Sequence, residues 1–375
     1  MPVGLKYVAV ARCIAVPGSS CWRASERLRA ERCRVCTERV INREILTSRL
    51  SYPTHGVICR AAHTASRVAP VAPPATDAQI SELVSAFQDS KRLVVLTGAG
   101  CSTESGVPDY RSPQGAYSTG FKPMTHQQFL ASPANRARYW ARSFYGWPRF
   151  SATQPNEAHL ALADLERRGW VSGIVTQNVD RLHTRAGSRE VLELHGSSHD
   201  VVCLDCGRLS PRQALQDALA ALNPAVAAHA ATRALSSSPP PSRGAGGAAP
   251  MQRPDGDVEL VDAGQGFRVA PCRDCGGTLK PDVVFFGDNL PQERKERAAA
   301  LIASSDTLLV VGTSVMVYSA YRLVEAAKAA GAKLLIVNVG HTRADKLADV
   351  KVEARAGEVL VRLARHSALQ LPKLL

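Results

Sequence analysis

The chain has 375 residues, 45% of them hydrophobic and 21% charged, enough to bury one large core or two modest ones. That composition excludes a disordered tail, a collagen and a mini-protein. The net charge of +13 would point to nucleic acid if it covered a folded surface, but residues 1–76 hold twelve Lys/Arg against four Glu and no Asp, a balance of +8.

The front segment opens MPVGLKYVAVARCIAV and continues rich in Arg and Ser and poor in acids, the composition of a mitochondrial presequence. Residues 1–76 are therefore read as a basic presequence and linker, and the mitochondrial matrix as the location. A secretory signal fits less well, because its apolar core at 7–10 is broken by Arg12. An uncleaved disordered tail is the plain alternative. No run approaches the roughly 18 to 20 uncharged apolar residues of a membrane-spanning helix, so no membrane insertion is expected.

After the prolines of 70–74, Thr76 or Asp77 is placed to cap a helix over about 77–90, with Ile80, Leu83, Val84 and Phe87 at helical spacing. Short β-branched and aliphatic runs follow at 93–97, 174–176, 307–311 and 334–338, with helical patterns such as 158–168 and 320–330 between them. Buried strands alternating with helices predict an α/β fold with a doubly wound parallel sheet. Residues 203–286 break the alternation and read as an inserted module. Its Ser/Pro/Ala/Gly-rich stretch, about 229–254, is expected to be a disordered loop.

The chemistry-bearing residues fall after the strands. The first run ends in Gly98, Ala99 and Gly100, where glycine permits close approach of backbone N–H groups to a phosphate or ribose. The G-x-G-x-x-G fingerprint fails at Thr103, which speaks against an ordinary hydride-transfer dehydrogenase. A long polar loop to Ser112, carrying Asp109, Tyr110 and Arg111, reads as a lid. Gln177, Asn178 and Asp180 follow the second run, and His195 stands directly before a glycine. Gly312, Thr313 and Ser314, then Asn338, Val339 and Gly340, follow the last two runs. Parallel strands would bring all of these to one sheet edge, where ligands of open α/β folds bind.

Of ten cysteines, five lie in the front segment and four form two C-x-x-C pairs, Cys203 with Cys206 and Cys272 with Cys275, each followed by Gly. This is the knuckle spacing by which four thiolates enclose one structural Zn2+, a closed site with no open position for chemistry. Two redox dithiols are the alternative. A third pair, Cys33 and Cys36, has no partner pair and is given no function.

In this order, GAGCSTESGVPDYRS, PNEAH, TQNVD, ELHG, the paired C-x-x-C, KPDVVFFGD, VGTS and NVG closely resemble the sirtuin family, over about residues 77–365. RYWARSFYGWPRF, VVCLDCG and RPDGDV resemble most its class II mitochondrial type, the fourth of the mammalian set. The resemblance implies a Rossmann-like catalytic domain over 77–375 with an inserted small zinc-ribbon domain at about 197–283, and NAD meeting an acylated lysine between them. It implies that Gly98, Ala99, Gly100, Asp109, Tyr110 and Arg111 hold the cofactor and its nicotinamide. Gln177, Asn178 and Asp180 would surround the nicotinamide ribose, and Gly312, Thr313, Ser314, Asn338, Val339 and Gly340 the adenosine half. His195 would be the general base, with Asn178 beside it as a catalytic residue. Val284, Phe285 and Gly287 would form a strand pairing with the substrate backbone.

The implied reaction is NAD-dependent deacylation of protein lysine through an O-alkylimidate, giving nicotinamide and O-acyl-ADP-ribose. Mono-ADP-ribosyl transfer at the same site is the alternative, and the partners are acylated or ADP-ribosylatable mitochondrial proteins. Tyr117 is followed three residues on by Gly120, not by the Arg of acidic-acyl sirtuins, so neutral acyl groups such as lipoyl or biotinyl are favoured over succinyl. Cys101 stands where isoleucine is usual, a packing change foremost and a reactive thiol second. A zinc-dependent nucleic-acid or scaffold protein is the rival class. No specific nucleic acid is expected, because the charge sits in the front segment and the zinc module has few aromatics for base stacking.

Overall fold

The computed structural model describes residues 69–235, 252–260 and 264–373. The presequence expected over 1–76 lies outside the described residues up to position 68, as does 236–251 of the small-residue stretch.

Helix α1 (Asp77–Asp89) starts at Thr76, whose hydroxyl accepts from Gln79 N while the Gln79 side chain accepts from Thr76 N, a reciprocal cap. Strand β1 (Leu93–Thr97) follows, then helices α2 (His126–Ala131), α3 (Pro133–Ala152) and α4 (Glu157–Arg167). Strand β2 (Gly173–Thr176), the short helix α5 (Leu182–Arg185) and strand β3 (Val191–Glu193) complete one half of the large sheet. Strands β4 (Gly196–Cys203) and β5 (Leu209–Pro211), helices α6 (Arg212–Leu222) and α7 (Pro224–Leu235) and strand β6 (Leu279–Val283) form the insertion. The chain returns through α8 (Gln292–Ala303), β7 (Thr307–Val311), α9 (Tyr318–Ala329), β8 (Lys333–Val337), β9 (Val350–Val352) and α10 (Ala356–Arg365).

The large sheet has the order β3-β2-β1-β7-β8-β9 and every pair in it is parallel. Its two faces are read directly from alternation along the strands. Leu93, Val95, Ile174, Leu309, Val311, Leu335 and Val337 face one way and pack with residues of α1, α4 and α10. Val94, Leu96, Val175, Leu308, Val310, Leu334 and Ile336 face the other and pack with residues of α8 and α9. Both faces are covered, so the strand sequences are continuously apolar rather than alternating. Each fully buried aliphatic side chain adds about 1.5–3 kcal/mol by removal from water.

The small sheet, β5-β4-β6, is antiparallel and packs with α3 and α6 around Phe129, Trp140, Phe144, Leu219 and Phe285. Arg212 is 1% exposed, with its guanidinium 5.2 Å from the Trp140 ring and 5.0 Å from the Trp147 ring. The expected disordered loop at 229–254 is ordered at both ends. Helix α7 continues through it to Leu235, with Val226, Ala227 and Ala230 packed on the small core. At the far end Gln252 bridges to Val258, and the Arg253 guanidinium lies 3.7 Å from the Phe121 ring centre. Composition alone hides this, because the apolar contacts belong to a few residues within a polar and small-residue background.

The segment expected to pair with substrate follows the small sheet. The sheet ends at Val283, and Val284, Phe285 and Gly287 lie beyond it, with Gly287 at φ +77°. Phe285 turns into the small core, while Phe286 is 40% exposed and bridges to Thr125.

Candidate functional site

Because β1, β2, β7 and β8 are parallel, their following loops emerge at one edge. The winding reverses between β1 and β7, which leaves a crevice at that point. A cavity of about 2070 Å3 fills it.

The two loops flanking the crevice touch backbone to backbone. Gly100 N donates to Gly312 O at 2.8 Å. A Cβ on Gly100 would sit 2.7 Å from that oxygen, and one on Gly312, at φ +57°, would sit 2.4 Å from Cys101 N. Contact therefore demands glycine at both positions. The result is a floor of bare backbone, the surface a phosphate or ribose can approach most closely.

Polar side chains from the β2 loop brace this floor. Gln177 Nε2 donates to Thr97 O at 3.2 Å and to Thr313 Oγ1 at 2.9 Å. Asn178 Nδ2 donates to Gly98 O at 3.1 Å and Ser102 Oγ at 3.0 Å. Ser102 in turn donates to Asp180 Oδ2 at 2.6 Å. Burial raises the Asp180 carboxyl, with the Ser102 hydroxyl and Leu182 N–H pulling the other way. Of the sequence-predicted cofactor residues, Ala99, Gly100, Asp109, Tyr110, Arg111, Gln177, Asn178, Gly312, Thr313, Ser314, Asn338, Val339 and Gly340 line the cavity, whereas Gly98 and Asp180 stand behind it.

The lid loop is tied by its own acid. Asp109 Oδ1 accepts from Arg111 N at 3.1 Å and Ser112 N at 2.9 Å, turning the chain back so that the Tyr110 and Tyr117 rings lie 5.4 Å apart. At the other end of the cavity Asn338 Nδ2 donates to Val339 O and Gly340 O, and Gly340 N donates to Glu353 Oε1 at 3.1 Å.

His195 stands beside the floor. Its Nδ1 lies 3.1 Å from Gln177 O and its Nε2 3.0 Å from Ser319 Oγ. A carbonyl oxygen only accepts, so Nδ1 carries the proton and Nε2 keeps its lone pair. Burial pushes the imidazole below the ordinary histidine value, the Gln177 carbonyl opposes this, and the Arg294 charge adds to it. The neutral ring at pH 7 can thus accept a proton at Nε2.

Three further residues were not found from the sequence. Ser319 and Ser102 hold His195 and Asn178, and nothing distinguishes them from other serines until the fold places them. Asp255 lines the cavity from the insertion's return, next to a low-complexity stretch that masks its turn.

Away from the cavity, the four cysteines converge. Cys203 Sγ lies 3.5 Å from Cys275 Sγ and Cys206 Sγ 3.9 Å from Cys272 Sγ, and all four sulfurs fall within 4.8 Å of one another. Each pair sits on the same turn: Gly207 N donates to Cys203 O and Gly276 N to Cys272 O, with those glycines at φ +74° and +75°. Four sulfurs at this spacing fit a tetrahedral zinc bound by thiolates alone.

The Sir2 family sequence profile matches residues 98–319. A protein of Arabidopsis thaliana named NAD-dependent protein deacylase SRT2 is 50% identical over 310 residues, 82% of either chain. The Homo sapiens protein named NAD-dependent protein lipoamidase sirtuin-4, mitochondrial, is 45% identical over 294 residues, 78% of this chain and 88% of its own. A solved structure described as "Structural Basis for the Mechanism and Regulation of Sir2 Enzymes" is 32% identical with a TM-score of 0.59, over 79% of this chain and 99% of that one. Glycine floor, paired knuckles and relatives agree, and the chain belongs to the Sir2 family.

Proposed function

We propose that this protein is an NAD-dependent protein lysine deacylase that releases nicotinamide and O-acyl-ADP-ribose and acts in the mitochondrial matrix. The observation that carries the reading is His195, with Nδ1 tied to Gln177 O and Nε2 left as a proton acceptor beside the glycine floor. NAD fits that floor, since Gly100 and Gly312 line the cavity and the loop contact that they alone allow leaves backbone rather than side chains facing it. When bound, it supplies an ADP-ribose unit whose C1′ becomes electrophilic as nicotinamide departs.

The chain's own residues do the rest. His195 Nε2 takes a proton from a ribose hydroxyl, and the Gln177 carbonyl steadies the imidazolium that results. Asn178, clamped by Gly98 O and Ser102 Oγ, holds the floor rigid on the nicotinamide side. Residues 284–287 border the cavity just beyond β6; Val284 N donates to His195 O and Phe286 O accepts from His126 N, while the remaining backbone groups of the segment would pair with a substrate peptide. Tyr117, which lines the cavity, is followed three residues on by Gly120 and not by the arginine of acidic-acyl sirtuins, so a neutral acyl group, lipoyl, biotinyl or acetyl, is favoured. The matrix location draws on the basic front segment and on human and bovine relatives named as mitochondrial.

The test is nicotinamide release from NAD with acetyl-, lipoyl-, biotinyl- and succinyl-lysine peptides and an unmodified protein acceptor, products read by mass spectrometry. Release coupled to a neutral acyl peptide is the expected result. ADP-ribose left on the acceptor protein, with no acyl transfer, would replace deacylation by mono-ADP-ribosyl transfer at the same site.

A further inference from the structure

Behind the glycine floor lies a second cluster of metal-binding side chains. Cys101, His159 and His183 are 0%, 0% and 1% exposed, and Cys101 Sγ and one nitrogen of each ring fall within 4.8 Å of one another. They come from three elements: the turn after β1, the first turn of α4, and α5.

One of the two rings has a nitrogen with no partner. Thr97 Oγ1 donates to Thr176 Oγ1 at 2.8 Å, so its oxygen accepts from His183 Nε2–H at 2.9 Å. His183 Nδ1 is then a bare lone pair, and it has no hydrogen-bond partner although the residue is buried. Asn156 Nδ2 donates to Cys101 O at 2.8 Å, and His159 Nδ1 lies 3.0 Å from Asn156 Oδ1 and accepts from the Asn156 backbone N–H at 3.3 Å. His159 Nε2 lies 3.4 Å from Ser102 Oγ, whose proton goes to Asp180. His183 is thus held by Thr97 on one nitrogen and open on the other, the arrangement found around metal-ligating histidines.

We propose that Cys101, His159 and His183 bind a thiophilic divalent cation of the zinc class, as one thiolate and two imidazoles. Tetrahedral bonds of about 2.0–2.3 Å put ligand atoms roughly 3.3–3.6 Å apart, a contraction of about 1 Å that side-chain rotation supplies. The four-cysteine cluster meets the same 4.8 Å bound before any ion is present. Binding replaces the S–H bond with an S–metal bond and releases one proton to solvent, with no change of oxidation state. An isoleucine at position 101 would remove the thiolate and with it the site.

The experiment is a metal count on the full chain produced with Co2+ in place of Zn2+, for the wild type, Cys101→Ile and Cys101→Ser. Two Co2+ per chain falling to one in both variants is the expected result. The absorbance lost should be that of a single thiolate–Co2+ bond, leaving the spectrum of the four-thiolate site. A wild-type count of one, or a count of two that neither variant lowers, would overturn the proposal. Cys101→Ser keeps nearly the native volume and decides the matter if Cys101→Ile does not fold.

Discussion

The two sheets of this protein are stabilised by different means. The large sheet buries both faces, and its strands contribute aliphatic side chains to two separate cores. The small sheet has three strands, of which β5 is only Leu209–Pro211, and its core leans on aromatic residues of α3 and on a cluster of four cysteines. The difference teaches where each kind of damage should register. Losing a metal ligand should cost the small module its fold, whereas altering the loops of the large sheet should cost activity while the fold stands.

The largest expected effect follows from breaking the first half of that contrast. Structural zinc contributes about 10–16 kcal/mol to folding in small zinc modules. Cys203→Ser removes one of four ligands, so zinc content should drop by one ion per chain, and the small module should become protease-sensitive. Soluble, protease-resistant, fully active protein lacking that ion would contradict a structural role.

His195→Tyr probes the other half. It removes the proton acceptor beside the floor without touching the thiolates, and general-base loss costs about 10²–10⁴ in rate. Turnover should fall by that factor while zinc content and melting temperature stay at wild-type values. The pH dependence carries the same assignment: a histidine pushed below 6.5 stays neutral, and active as a base, down to more acidic pH. The acid limb of kcat/KM should therefore bend below about pH 6.5, and a limb above it would assign the base elsewhere.

Much of this contrast was legible in the residues. The runs at 93–97 and 307–311 coincide with strands β1 and β7, because a doubly covered parallel strand is uniformly apolar and bounded by glycine. The glycine turn and the knuckles were legible for a related reason, since their chemistry needs particular residue types at fixed spacing, whereas His195 took its role only from the family resemblance. For the segment 284–287, Val-Phe-Phe reads as a strand whether its backbone is paired or leaves the sheet, so the residues alone do not say where β6 ends. Ser319 gave no signal, since it is an ordinary helix serine, and Asp255, though within RPDGDV, lies beside a low-complexity stretch that gave it no role. The open nitrogen of His183 depends on Thr97, 86 positions away in sequence, beyond the reach of any local motif.

A smaller effect is expected where the two loops of the large sheet meet. Gly312→Ala places a methyl 2.4 Å from Cys101 N at φ +57°. The strained backbone should cost more than about 1 kcal/mol of stability, and displacement of the floor should raise KM for NAD by a larger factor than it lowers kcat, with zinc content unchanged. An unchanged KM would show that the loops do not meet the cofactor there.

The smallest effect lies at the far end of the same sheet edge, in the turn after β8. Asp345 accepts from Thr342 Oγ1 at 2.6 Å and Lys351 Nζ at 2.8 Å. Burial works against its charge, but the Lys351 and Thr342 contacts outweigh it and bring the carboxyl down to about 2. A carboxylate whose folded value lies below its unfolded value, about 3.9, stabilises the fold fully above the unfolded value and loses that contribution as pH falls toward the folded one. Asp345→Asn should therefore lower the melting temperature slightly at pH 7, and the gap from wild type should close between about pH 4 and pH 2. A gap that persists unchanged at pH 2 would mean that the side chain acts there through shape and hydrogen bonding rather than through charge.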